Sequence, residues 1–182
     1  MIITISGKAG SGKSTVAREL AKQLKLRHYS IGDLMRQMAK KRNISLLELG
    51  KAAEKDKSID RELDERQINL GKEENNFVID GRLTAHFIPN ADVKVFLECE
   101  DSVRAERILK DERKDERNKD INDVISKIRE RESSERKRYK QYYGIDYYDE
   151  DMYNLVIDTT KMNVKEVVGR IIGKIKKKNK SQ

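Results

Sequence analysis

Hydrophobic positions along the chain follow two alternating patterns. Short apolar runs recur at residues 2–6 (IITIS), 77–80 (FVID), 93–97 (VKVFL) and 154–158 (NLVID), each of strand length, with 27–30 a weaker fifth. Between these runs apolar residues return every three or four positions, the period of a helix with one buried face. Residues 14–25 read as a helix with Val16, Leu20 and Leu24 inward, 101–112 as another, and 164–177 as the last. From 34 to 72 the pattern is helical but very polar, with interruptions expected near Asn43 and Gly50. Residues 112–120 (ERKDERNKD) carry no apolar side chain and predict an exposed, mobile loop, followed by a long helix from 121 to about 143. Strands alternating with helices predict βαβ units: an α/β fold with a five-stranded parallel sheet, helices on both faces, and ligands collecting at the carboxyl ends of the strands. A single proline, Pro89, and no Gly/Ser linker give no sign of a domain boundary in the 182 residues.

The turn after the first strand carries chemistry. Gly7-Lys8-Ala9-Gly10-Ser11-Gly12-Lys13-Ser14 fits G-x-x-x-x-G-K-[ST] in full and sits between a strand and a helix, as its mechanism requires. Glycines let successive N–H groups face phosphate oxygens, and the helix N-terminus that continues through Thr15 adds partial positive charge. Lys13 is expected to reach the β- and γ-phosphates of a nucleoside triphosphate, and the Ser14 hydroxyl to hold Mg²⁺. A structural Gly-rich turn would need neither of these two side chains. The guanine motif Asn-Lys-x-Asp is missed by Asn118-Lys119-Asp120-Ile121, which argues against a GTPase.

Composition narrows the picture further. Lys and Arg number 40 against 32 Asp and Glu, a net charge of +8 that favours anionic partners without choosing among them. One cysteine, Cys99, excludes an internal disulfide framework or a Cys-based zinc site and suits a reducing compartment. His28 and His86 fall in no motif. The chain opens directly into its first strand without the pattern of a secretory signal, and no run approaches the ~20 apolar residues of a membrane span. A cytoplasmic protein acting on small nucleotides is expected, monomeric and without a membrane partner.

Arginines gather where a second phosphate would sit. Arg36 follows the second strand, and Asp80-Gly81-Arg82 ends the third, both at carboxyl ends on the edge that bears the Gly-rich turn. Two such arginines could clamp a dianionic phosphate; for Arg36 alone, a solvated helix arginine is an equal reading. Asp80, closing a buried apolar strand, is a candidate to hold magnesium through water. On the long helix, the stripe Ile121, Val124, Ile125, Ile128 continues on the same face into Arg131, Glu135, Arg138 and Tyr142. Charge on an inward face calls for a partner such as phosphate. Otherwise the helix simply leaves the core and 131–138 is a solvated charge run. Asp60 and Asp64 read first as exposed helix carboxylates, and second as acceptors for an exocyclic amine such as that of cytosine.

Together these motifs resemble the nucleoside monophosphate kinases, and within them the archaeal cytidylate kinases, over nearly the whole chain. Ser30-Ile31-Gly32-Asp33-Leu34-Met35-Arg36 resembles that family's monophosphate-binding segment, Asp80-Gly81-Arg82 its Asp-Gly-Arg, and Arg131-Glu132-Ser133-Ser134-Glu135-Arg136-Lys137-Arg138 its Arg-Asp-x-x-Asp-Arg-x-Arg. The resemblance implies a P-loop fold with a core of 1–32, 73–111 and 144–182, a monophosphate-binding insert at about 33–72, and a short lid at about 112–120 leading into the lid helix 121–143. It implies that Ser30, Asp33, Arg36, Arg82, Arg131 and Arg138 serve the monophosphate, that Glu135 contacts the nucleoside, and that Arg107 lies near the ATP base. Arg131 and Arg138, with Lys13, are the implied catalytic residues; ATP and Mg²⁺ are the implied cofactors, and CMP and dCMP the implied acceptors. Leu83 stands where bacterial members carry Asp, and Glu135 where they carry Asp. Rival readings are a same-fold kinase of AMP, UMP or a small metabolite, and a nucleic-acid-binding regulatory ATPase suggested by the basic tail 174–180 (KIKKKNK). The six tyrosines between 139 and 153 read as core packing rather than a base-stacking platform.

Overall fold

A computed structural model describes residues 1–110 and 120–180. In chain order the elements are β1 (Ile2–Gly7), α1 (Lys13–Leu24), β2 (Arg27–Ser30), α2 (Ile31–Lys41), α3 (Leu46–Ala53), α4 (Ser58–Glu73), β3 (Phe77–Asp80), α5 (Thr84–Phe87), β4 (Val93–Glu98), α6 (Asp101–Lys110), α7 (Ile121–Tyr143), β5 (Leu155–Asp158) and α8 (Val164–Lys180). Among the described residues five strands form one sheet in the order β2-β3-β1-β4-β5, every pairing parallel. The chain runs from β1 outward to β2 and then back across the sheet through β3 to β4 and β5. The connections leaving the neighbouring strands β1 and β3 therefore go in opposite directions, and the crevice above their carboxyl ends is the switch point where ligands of open α/β sheets bind.

Strand side chains alternate between two cores, as period-2 geometry demands. Ile3, Ile5, Val78, Val95 and Ile157 pack against Val16 and Leu20 of α1 and Val167 and Ile171 of α8. Their neighbours Ile2, Phe77 and Ile79 face the other way, against Met35, Leu49, Ile59 and Leu63 of α2–α4. Further along that second face, Phe96 and Leu83 meet Tyr139 and Tyr147, with Tyr143, Tyr148 and Tyr153 against them, so the tyrosines after the long helix are packing residues. A fourth cluster joins Ala9 of the Gly-rich turn to Ala105 and Ile108 of α6 and Val124 and Ile128 of α7.

The polar stretch 34–72 departs from expectation in one place. Asn43 does mark a break, with a positive φ of 54°, but Gly50 is buried inside α3. Its backbone carbonyl accepts from Arg138 Nη1 at 3.0 Å, and a Cβ there would stand 3.6 Å from that nitrogen. That is an ordinary contact distance, so the helix passes beside α7 at Gly50 without excluding a Cβ there. The helix instead ends at 54–57, where Asp56 accepts from the Ser58 amide at 2.9 Å. Two short elements, α5 and a 3₁₀ turn at Glu150–Met152, are too brief to leave a periodic signal. The loop expected at 112–120 lies outside the described residues except for Asp120, whose carboxylate accepts from the Asn122 amide at 2.8 Å and caps α7.

Candidate active site

The Gly-rich turn is shaped by two close approaches. Gly7 has φ +144°, and a Cβ on it would fall 2.3 Å from the Leu97 carbonyl oxygen; Gly10, at φ +74°, would meet the Arg104 carbonyl at 2.8 Å. Any larger residue would push the turn off β4 and α6. From beneath, Arg104 and Glu132 brace it. Arg104 is 1% exposed; its Nη1 donates to the Ala9 carbonyl at 3.1 Å and to the Glu132 carboxylate, which in turn accepts from the Ala9 amide at 3.3 Å. Lys13 is nearly buried at the start of α1, and its Nζ donates to the Lys8 carbonyl at 2.7 Å. Burial, then the neighbouring Arg82 charge, pull the Lys13 ammonium well below its ordinary pKa, with Asp80 and Glu135 opposing.

Asp80, at the end of β3, gathers three side chains. Ser14 Oγ donates to its Oδ2 at 2.7 Å, Ser30 Oγ to the same oxygen at 3.2 Å, and His28 Nε2 lies 2.7 Å from Oδ1. A hydroxyl and a carboxylate this close, at the head of α1, are the hard oxygen donors that Mg²⁺ takes, so the residues present fit the ion. Among the described residues there is no group of three or more His, Cys, Asp or Glu that would hold a transition metal in its place.

Beside this hub, Glu135 of α7 is the centre of an arginine cluster. Its carboxylate accepts from Arg82 Nε at 2.7 Å and Arg131 Nε at 3.1 Å, while Arg82 Nη1 also donates to the Gly7 carbonyl at 3.0 Å. Burial alone would raise the Glu135 carboxyl, but Arg82 and then Arg131 outweigh it and hold it at about 2. Arg138 does otherwise: its Nε donates to Asp60 Oδ2 at 2.7 Å, both side chains buried.

A cavity of about 550 Å³ opens above these groups. It is lined by residues 9–16 of the turn and Arg107, and by Arg36, Arg82, Arg131, Glu135 and one face of α4. Arg107 is held against the strand β5 side, its Nη2 donating to the Thr159 carbonyl at 2.8 Å. Arg36 reaches the cavity while bonded to Asp33, and the Asp33 amide donates to Ser30 Oγ at 3.3 Å. Of the residues named from sequence, the structure thus brings Ala9, Gly10, Ser11, Gly12, Lys13, Ser14, Thr15, Arg36, Asp80, Arg82, Arg107, Arg131 and Glu135 around one space; Gly7, Lys8, Ser30, Asp33 and Arg138 do not line it. Asp60 is 4% exposed and Asp64 half-buried, which overturns their reading as exposed helix carboxylates. The charge run reading of 131–138 falls too, since Glu135 and Arg138 are buried. Sequence reasoning missed His28, Arg104, Glu132 and Gln67. The first three act through partners far along the chain, which no local spacing reveals. Gln67 stands two helical turns after Asp60 and one after Asp64, on the same face, a signal that was there to be read.

A phosphate-binding loop, an oxygen-donor pair and an arginine cluster around one cleft on a parallel sheet define a P-loop phosphotransferase that acts on small molecules. The shikimate kinase of Bacteroides thetaiotaomicron shares this fold, with a TM-score of 0.64 at 14% identity over 97% of this chain and 98% of its own. Residues 2–161 match the cytidylate kinase-like family. The cytidylate kinase of Pyrococcus abyssi is 46% identical over 88% of this chain and 86% of its own, and that of Methanosphaera stadtmanae 41% over 94% and 95%. The chain belongs to the cytidylate kinase-like family.

Proposed function

We propose that this protein transfers the γ-phosphoryl group of ATP to a pyrimidine nucleoside monophosphate, CMP and dCMP foremost. The observation that carries the reading is one cavity lined both by the triphosphate cradle and by Arg36, Arg82 and Arg131. A monophosphate is already a competent nucleophile near neutrality, its second pKa being about 6, so no general base is needed. The chain's work is positioning and charge neutralisation. Lys13 holds the donor phosphates, Arg107 lies at the donor end, and Arg82 and Arg131 face the transferring group from the acceptor side. Ser14 and Asp80 would hold Mg²⁺, which when bound neutralises charge on the β- and γ-phosphates. Arg138 and Asp60, although named for substrate by resemblance or by spacing, tie α7 to α4 and set the position of that wall. In this reading α2–α4 carry the monophosphate. The protein's work on free nucleotides as a monomer in the cytoplasm is part of this proposal; separately, among the described residues no helix is long and apolar enough to cross a membrane.

The test is Mg²⁺-dependent ADP formation from ATP with CMP, dCMP, UMP, AMP and GMP offered singly. CMP and dCMP should dominate. Victory of another monophosphate would overturn the base assignment, and no stimulation by any would overturn the monophosphate reading. Lys13→Ala and Arg131→Ala should each lower kcat by at least about a hundredfold.

A further inference from the structure

The helix α4 turns one face to the cavity. Asp60, Leu63, Asp64 and Gln67 recur at helical spacing and all four line it. Two of the three polar side chains are already engaged: Asp60 accepts from Arg138, and Asp64 accepts from the Tyr143 hydroxyl. Gln67 differs. It is 3% exposed; its Nε2 donates to the Leu63 carbonyl at 3.3 Å, one turn back along α4, while its Oε1 has no hydrogen-bond partner among the described residues. The bond to Leu63 fixes which way the amide lies, because the reverse orientation would set two oxygens against each other. A buried acceptor left unmatched has lost its water without compensation. Oε1 has under 1 Å² of accessible surface, so a donor from the ligand meets it when the α4 wall shifts to admit the base.

We propose that Gln67 is a specificity-determining residue, its Oε1 accepting a hydrogen from the exocyclic amine of the acceptor's base. The inference rests on the monophosphate-kinase reading above and names the group within that site that reads the base. The polar groups α4 brings to this wall are mostly acceptors, the carboxylates of Asp60 and Asp64 and the Gln67 oxygen, beside one unused Nε2 hydrogen of Gln67. Cytosine offers two N–H donors at its 4-position. Uracil offers an oxygen there instead, and would bring acceptor against acceptor. Sites that hydrogen-bond a substrate group reject analogues lacking it strongly, because the protein partner is then stranded. Leu63, between the polar residues, gives the wall an apolar patch between its acceptors.

The experiment compares kcat/KM for CMP and for 2-pyrimidinone riboside monophosphate, which is CMP without its amine, in wild type and Gln67→Met. Methionine is close in volume and shape but offers no amide oxygen. The wild type should prefer CMP by at least about tenfold. Gln67→Met should lower kcat/KM for CMP about tenfold and leave the analogue within about twofold, so that the preference collapses. The melting temperature should hold or rise, since the replacement removes a stranded buried oxygen. An equal fall for both substrates together with a lower melting temperature would mark a structural residue and overturn the proposal, as would an unchanged ratio. Gln67→Leu gives the same comparison if the methionine variant fails to fold. Wild-type enzyme that turns over CMP with an unaltered ratio in the variant sinks this inference alone. Wild-type enzyme that ignores CMP sinks the function beneath it as well.

Discussion

Asp64 and Glu135 face the same cavity and titrate in opposite directions. Burial first, then the nearby Asp60 charge, push the Asp64 carboxyl from 3.8 up to about 6, against the Tyr143 hydroxyl that lowers it. A carboxyl raised on folding contributes stability that is complete below its unfolded value and is lost as pH climbs through about 6. Asp64→Asn should therefore stabilise the protein at pH 7.5, by about 1 kcal/mol once solvent screening of this half-buried group is allowed for. Thermal melts should show that gain shrink to nothing below about pH 4. Glu135 runs the other way: held at about 2, it contributes stability above the unfolded carboxylate range that fades only as pH falls towards 2. At this scale the sequence was most readable where chemistry dictates residue type at fixed spacing, as in 7–14 and Asp80-Gly81-Arg82. It was least readable where a residue matters through one distant atom. His28 at the edge strand and Arg104 under the turn look unremarkable in the chain because their partners, Asp80 and Glu132, lie 52 and 28 positions away.

Among the elements, α7 shows what periodicity can and cannot say. Its apolar stripe does continue into buried charge, and Val124, Ile128, Glu135 and Arg138 are all buried. The pattern could not name what meets each charge, since Glu135 is answered from β3 and α7 itself and Arg138 from α4. The misplaced break at Gly50 has a related origin: a glycine in a polar helix reads as a stop, although α3 continues through it with its carbonyl held by Arg138 of α7. The Arg138–Asp60 pair makes α7 and α4 one unit, and removing one partner strands a buried charge. Asp60→Ala should cost about 3 kcal/mol in urea unfolding, and adding Arg138→Met should recover part of that loss. Full additivity of the two substitutions would show that the pair is not coupled.

For the whole molecule, strand succession made the α/β class legible, but the order β2-β3-β1-β4-β5 was not, because parallel neighbours such as Ile5 and Asp80 are set by crossover packing far apart in sequence. That order brings Lys13, Arg82 and Arg131 to one crevice, where their shared charge, with burial, holds the Lys13 ammonium down. An anion in the cavity relieves this repulsion. ATP at a hundred times its Kd should stabilise the fold by about 2.7 kcal/mol by mass action, and Lys13→Ala should lose most of the accompanying rise in melting temperature at the same ATP concentration.

The turn at 7–14 and the acceptor wall on α4 are written in separate stretches of chain, joined in space by the sheet and by α7. If Gln67 reads the base as proposed, substitutions on the face of α4 that spare Asp60 and its bond to Arg138 can change which base is admitted while the donor cradle stays untouched. The pinned glycines Gly7 and Gly10 tolerate almost no change, whereas the face of α4 needs only a new side chain every third or fourth position. Such an enzyme has one conservative half and one free to explore, and its substrate range can move without its catalytic engine being rebuilt.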